Sequence, residues 1–331
     1  MRGVRLAGVL AMVAAAGCSD ALEQSTPVGQ EIVVLDGGGG TSLTLVNAGD
    51  FSATPQPMAF AVSGTGQIAG RGPTILISGV AHDSLQILPL GGSPKVVPVG
   101  SPAGAAFQDD TLAWVADSAF DAVVQVNVRT AQKVVSPAVP AGPVAIAVLD
   151  SQVFSLHRSW LTAIKLSGTP TPDSIPLSGS DARYPVVGDD SLLYVIERGD
   201  SGKANGKLSV VDPAGRSEIV VINGLGERPG PGVFHPTGRI LVASPADGIL
   251  EVNALTRSVT RGPGAGIKPG GKGVVALSLD ARGRVYAVSN TGCGTPGVLY
   301  VLSPPPDYHV ITTVPLGLCP VASTVAEMPA Q

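Results

Sequence analysis

The chain has 331 residues, of which 14% are charged and 4% aromatic, with a formal net charge of -4. This balance excludes a basic face that tracks nucleic-acid phosphates, and it excludes the stacking platforms that single strands or methylammonium groups need. Beyond residue 17 no apolar run is long enough to cross a bilayer as a helix, and 43 glycines and 29 prolines punctuate runs of Val, Ile and Leu at regular spacing.

The first predicted element is an address. Arg2 and Arg5 precede an apolar run over residues 6–16, too short for a span of about 20 helical residues and suited to a signal-peptide core. The run ends in Ala15-Ala16-Gly17-Cys18. This resembles the bacterial lipobox, which implies that residues 1–17 are removed and that Cys18 is lipidated as the new N-terminus. Acyl chains contribute about 0.8 kcal/mol per buried methylene, so such a cysteine is a stable membrane anchor. Residues 18–30 then read as a polar tether, and Ser19 implies the outer rather than the inner membrane of a bacterial envelope. The other reading is cleavage after Ala14-Ala15-Ala16, which leaves a soluble secreted protein.

From residue 31 to 331 the sequence reads as one domain built on a repeat. Units begin near Pro57, Pro102, Pro143, Arg183, Pro229, Gly273 and Pro320, steps of about 40 to 47 residues, the range of propeller blades. Each start is followed by turn, strand, loop, strand, turn and strand. In the second unit the strands fall at 103–107, 111–116, 122–127 and 133–135; in the sixth at 274–279, 284–289, 298–302 and 310–314. The stretch 234–253 shows the punctuation plainly, with Pro236-Thr237-Gly238 and Pro245 to Gly248 as turns between β-rich runs. RVYAVS (284–289), LLYVIE (192–197) and LAWVAD (112–117) occupy one phase, and KLSVVD (207–212), VVQVNV (123–128) and VLYVLS (298–303) the next. These strands resemble YVTN and NHL propeller repeats, which implies an all-β propeller fold and leaves function open, because such propellers host many roles. A solenoid and a β-sandwich are the other folds that short, regularly spaced strands allow. The seventh start has a single strand, 321–325, before the chain stops, and residues 31–54 supply three more. The expectation is therefore seven four-stranded antiparallel blades, the last shared by the two ends.

Ligands of propellers meet loops around the central channel. The face carrying the loops between middle strands and the crossings from blade to blade is called the top here. On it Asp36, Asp83, Asp117 and Asp121 mark an acidic arc over blades seven, one and two. Arg158, Arg183, Arg198, Lys203, Arg228, Lys268 and Lys272 outweigh Asp181, Glu197, Asp200, Glu227 and Asp247 over blades three to six. Since guanidinium groups suit carboxylates, the candidate ligand site is His157, Arg158, Arg183, Arg198 and Arg228, facing a small anion or an acidic partner surface. The bland reading packs Trp160 at a blade edge and has His157 cap a strand.

The four histidines lack metal-ligand spacing, and His235 and His309 are expected at turns away from the top loops. Residues 266–272 fit GxxxxGK, but Gly273 replaces the hydroxyl residue and no helix follows. Asp109-Asp110 and Asp189-Asp190 recur at one phase and read as turn residues. No GxSxG elbow is present. The reading is thus a monomeric, non-catalytic envelope lipoprotein that needs no metal or cofactor and binds a protein or small ligand with its top loops. The rival is an enzyme, because similar propellers include metal-dependent lactonases and quinone-dependent dehydrogenases; a divalent ion lost on mutation of Glu197 or Asp247 would favour it. With Cys18 given to lipid, Cys293 and Cys319 are the remaining thiols. Both are expected in top loops of neighbouring blades, and export favours a disulfide between them over two separate buried thiols.

Overall fold

The computed structural model describes residues 29–38, 40–80, 83–166 and 172–328. Cys18 and His82 lie outside them. Among the described residues, 28 strands form seven four-stranded sheets, and the single helical turn is Pro269–Gly271. The innermost strands, in order from blade one, are Val62–Arg71, Pro102–Phe107, Ala145–Leu149, Ala182–Val187, Gly232–His235, Ala276–Leu279 and Pro320–Glu327. Every neighbouring pair within a blade is antiparallel, so the sequence expectation of a seven-bladed all-β propeller holds.

Blades are apolar on both faces, and that is why they form a ring. In the strand Leu193–Glu197 of blade four all five side chains are buried. Leu193 and Val195 point one way, against Phe154, Leu156 and Leu161 of blade three. Tyr194 and Ile196 point the other way, against Ile240, Val242 and Leu250 of blade five. Period-two alternation here divides side chains between two cores rather than between core and water. There are seven such clusters among the described residues, one for each pair of adjacent blades. A seventh interface exists only if the ring is closed. Each buried Leu, Ile or Val contributes about 1.5–3 kcal/mol, so an open blade would forfeit a whole core.

Blade seven closes the ring by joining the two ends of the described chain. Pro320–Glu327 pairs with Gln30–Asp36, with Ile32 opposite Val325 and Val34 opposite Ser323, and Ser42–Asn47 and Ala53–Pro57 complete the sheet. Buried Gln30 accepts the Ala281 N–H at 3.1 Å. Arg284 of blade six, also buried, donates to Asp280 at 2.5 Å and to the Ala48 carbonyl, and lies 5.0 Å from the centre of the Phe51 ring. Cys293 and Cys319 form the expected disulfide, which pins the top loop of blade six to the start of the closing strand.

One boundary differs. Pro57 ends the outermost strand of blade seven, and the inner strand of blade one starts at Val62. An edge strand tolerates Pro because its outer N–H groups have no ladder partner to lose, so this Pro marks an end where the others precede a start. Gln30 opens a second strand and Glu327 ends a first strand, which puts both at the bottom rim. There Met328 donates to the Gly29 carbonyl at 2.6 Å and Glu327 to that of Gly72 at 2.8 Å.

Candidate anion site at the top of the channel

Each innermost strand begins at the top, where the chain crosses in from the preceding blade. In several blades it begins with a bulge. Pro102 faces Asp117 and Gly104 faces Ala116, so Ala103 is extra. Ala182 faces Glu197 and Tyr184 faces Ile196, so Arg183 is extra. Pro320 faces Asp36 and Ala322 faces Leu35, so Val321 is extra. Val144 and Ala145 share Leu156, and Val275 and Ala276 share Val288. A bulge re-aims the extra residue and increases local twist. All five of these residues, each part-exposed, line a channel-mouth cavity of about 810 Å³. Four are aliphatic; the fifth is Arg183.

Arg183 does not stand alone. Its Nε donates to Asp181 Oδ1 at 2.9 Å, while Arg228 Nη2 and Arg198 Nε lie 3.6 and 4.0 Å from Asp181 Oδ2. Three of the five ligand residues read from the sequence therefore converge on one carboxylate. They arrive from different elements: Arg183 from the bulge, Arg198 from the end of the second strand, and Arg228 from the crossing into blade five. Three guanidinium groups against one carboxylate leave two positive charges in excess. A guanidinium has five N–H donors, which Asp181 cannot satisfy for all three. The Arg side chains are 25–34% exposed, so these donors are open to a solute.

The other two residues separate from the cluster. Arg158 is exposed at the turn of blade three, with no ion pair among the described residues; its carbonyl accepts the Ala182 N–H at 2.9 Å, which sets its loop beside the cluster. His157 is fully buried. Its Nδ1 lies 3.2 Å from the Ala141 carbonyl and its Nε2 3.1 Å from Thr162 Oγ1, while the ring stacks on Trp160 at 5.1 Å. Burial lowers its pKa, opposed by the Ala141 hydrogen bond, so the ring is held neutral with Nδ1–H donating to Ala141. His157 is a clasp on the crossing from blade two, through the Ala141 carbonyl. His235, likewise buried, sits at the bottom against the Gly283 carbonyl at 3.0 Å.

The position held by His157 recurs with other residues and corrects the acidic arc. Asp117 is buried, and its carboxylate takes the N–H groups of Gly100, Ser101, Ala119 and Phe120. Asp36 is buried too; burial pushes its pKa up to about 6, opposed by the hydrogen bond from Thr44. Exposed Asp121 holds the Gly142 N–H at 2.9 Å. Asp117 and Asp121 thus secure crossings, Asp36 takes its hydrogen bond from Thr44 of its own blade, and Asp83 and Asp121 are the two acids of the arc that stay exposed. Asp109 takes the N–H groups of Thr111 and Leu112, which is the turn role read from the sequence.

In blade four the clasp is Glu197, fully buried under Gly179, where a Cβ would fall 1.0 Å from Glu197 Oε2, so any larger residue would displace that carboxyl group. Burial raises its pKa, the Ser209 hydrogen bond opposes this, and Glu218 adds to it. Ser209 Oγ lies 2.7 Å from Glu197 Oε1 and also contacts Glu218 Oε1. One hydroxyl proton serves one carboxylate at a time, so Glu197 and Glu218 compete for Ser209. Asp247 accepts the Gly264 N–H at 3.0 Å. Among the described residues no three His, Cys, Asp or Glu side chains converge on a point that could hold a metal ion.

No family model matches the chain, and no curated protein matches it. Solved structures do. Hydrazine synthase of Kuenenia stuttgartiensis aligns with a TM-score of 0.64 and 14% identity, over 78% of this chain and 88% of that one. A functionally unknown protein from Desulfotomaculum acetoxidans DSM 771 aligns with a TM-score of 0.67 and 12% identity, over 90% and 99%. Apo AztD from Citrobacter koseri aligns with a TM-score of 0.55 and 16% identity, over 90% and 98%. At these identities the likeness is one of fold, and it supports the seven-bladed propeller drawn from the chain itself.

Proposed function

We propose that this propeller is a non-catalytic binding protein, held in a bacterial envelope through lipidated Cys18, that captures an anion at Arg183, Arg198 and Arg228. The single observation behind the reading is the excess over Asp181 of three guanidinium groups, two of which, those of Arg183 and Arg198, line the channel-mouth cavity. Unpaired cations packed together disfavour one another, and an arriving anion relieves that repulsion while filling the open donors. Asp181 draws the three together and holds them in register until then. The anchor follows from the Ala15-Ala16-Gly17-Cys18 stretch.

The test is a calorimetric screen of acetate, succinate, citrate, phosphate and sulfate against the protein and against the variant Arg183→Glu/Arg198→Glu. At least one anion is expected to bind, with its affinity lowered tenfold or more in the variant. Hits that ignore the charge reversal, or an absence of hits with short and long carboxylates alike, would overturn the reading. For the anchor, Cys18→Ser should release the protein from membranes; retention without any acyl chain would refute lipidation.

A further inference from the structure

The ring of bulged residues says more about the ligand than the arginines do. Resting on the anion reading above, we infer that the channel mouth takes an amphiphilic monocarboxylate, its head on Arg183 and its hydrocarbon chain among Val144, Val275 and Val321. Four observations carry this. Among the described residues that line the cavity there is no carboxylate, and Arg183 and Arg198 are the only cations. Both belong to blade four, so the charge sits on one side and can neutralise one head group. The remaining side chains of the wall are mostly aliphatic, Val233 and Ile68 among them, with Gln67, Ser101, Tyr184 and Ser323 adding neutral polar groups and inner-strand backbone polar atoms exposed between them. Finally, these valines are part-exposed, unlike Val115, Val153, Val195 and Val242 of the second strands, which are buried.

Exposed β-branched side chains around a recess gain by covering with apolar matter, and the adjacent charge selects which apolar matter. The carboxylate is the head group of choice because a carboxylate, that of Asp181, is what these guanidinium groups already grip. A dicarboxylate would place its second charge against valine. Each methylene that leaves water is worth up to about fourfold in affinity, which makes chain length a readable variable.

The experiment titrates butyrate, hexanoate, octanoate and decanoate into the full chain carrying Cys18→Ser, purified without detergent, with decanol and decyltrimethylammonium as controls. Affinity should rise severalfold with each added pair of methylenes, and neither control should match decanoate. Arg183→Gln should weaken every carboxylate by a similar factor. Val275→Asn and Val321→Asn should flatten the chain-length series, weakening decanoate far more than butyrate; both side chains are part-exposed but also pack against the blade cores, so thermal melting verifies the fold. If butyrate binds as tightly as decanoate, the amphiphile is wrong and the anion site stands. If decanol equals decanoate, the head-group assignment fails. If carboxylates of every length fail while phosphate or sulfate binds in an Arg183-dependent way, the ligand is an anion of another class. If no anion binds, both inferences fall together.

Discussion

Blades four and seven share one backbone plan and use it for different ends. Each has an acid at the end of its second strand, Glu197 or Asp36, buried and with a raised pKa. Each has a bulged residue opposite that acid, Arg183 or Val321. Blade four is made from one continuous run of chain; blade seven is assembled from two ends and bolted to blade six by a disulfide. In blade four the clasp lies next to the charged cluster, because Glu197 and Arg198 are neighbours in sequence. In blade seven the clasp serves closure. The lesson is that the repeat fixes where a side chain points, and a single substitution at the bulge decides whether that place is wall or site.

The most severe way to break the comparison is to remove residues 320–331. Blade seven would lose its inner strand, and with it the pairing to Gln30–Asp36 and parts of two cores. Loss of soluble, cooperatively melting protein is the expected result, read by circular dichroism and sedimentation. Unchanged thermal stability would mean that this strand is not what closes the ring. Next in size is Cys293→Ser/Cys319→Ser. A bridge spanning 26 residues contributes about 3–4 kcal/mol through the chain entropy of the unfolded state. Urea unfolding should show that loss, and wild-type protein in reductant should reproduce it. Blade four carries no such bridge, so its stability should not respond to reductant except through the ring.

The two buried acids sharpen the comparison through pH. The unfolded chain releases the Asp36 proton near 3.8, whereas the folded chain keeps it up to about 6. Over that interval the folded state binds more protons, so stability is highest below it and declines as pH rises through it. The decline attributable to Asp36 is on the order of 2–3 kcal/mol. Asp36→Asn should flatten that part of the profile. Glu197→Gln should flatten another part with the same sign, since its pKa is also raised above its ordinary 4.5. Urea midpoints at pH 4.5 and 7.5 for the three proteins decide it; a wild type more stable at 7.5, with both variants also more stable there, would contradict the burial of these protons. The smallest effect on stability belongs to Arg183→Gln, within about 0.5 kcal/mol because the side chain is part-exposed. Its effect should appear in anion binding instead, and Val321→Arg should add a second binding arm across the channel.

Much of this was legible in the sequence. The number of blades, their order and the shared seventh followed from the spacing of turns and apolar runs. The disulfide followed from where Cys293 and Cys319 fall in that repeat. Pro57 misled by one strand, because proline is tolerated at the end of an edge strand as readily as before an inner one. The arginine cluster was visible as a charge excess, but its centre was not: Asp181 looked like one of several diluting acids, and it is the carboxylate on which three arginines meet. The acidic arc is weaker than its sequence suggests for a local reason, seen at Asp117 and Asp121. A residue just after a strand reads as a solvated turn, and nothing in the neighbouring sequence shows that a crossing chain from the previous blade runs over it and needs its oxygens. Bulges are equally silent. They depend on one extra residue relative to a partner strand, so Arg183 and Val321 could be placed near the top but not assigned to one ring.

Both ends of the described chain leave the ring at its bottom rim, joined by the hydrogen bond from Met328 to Gly29. Handling and geometry follow from that. A support that grips the protein by either end, whether a lipid leaflet, a tagged chip or a fused domain, displays the channel mouth outward. A dense layer of such molecules becomes a sheet of parallel, unobstructed wells. Crowding in the plane of that layer would press rim against rim and leave the wells open to whatever diffuses above.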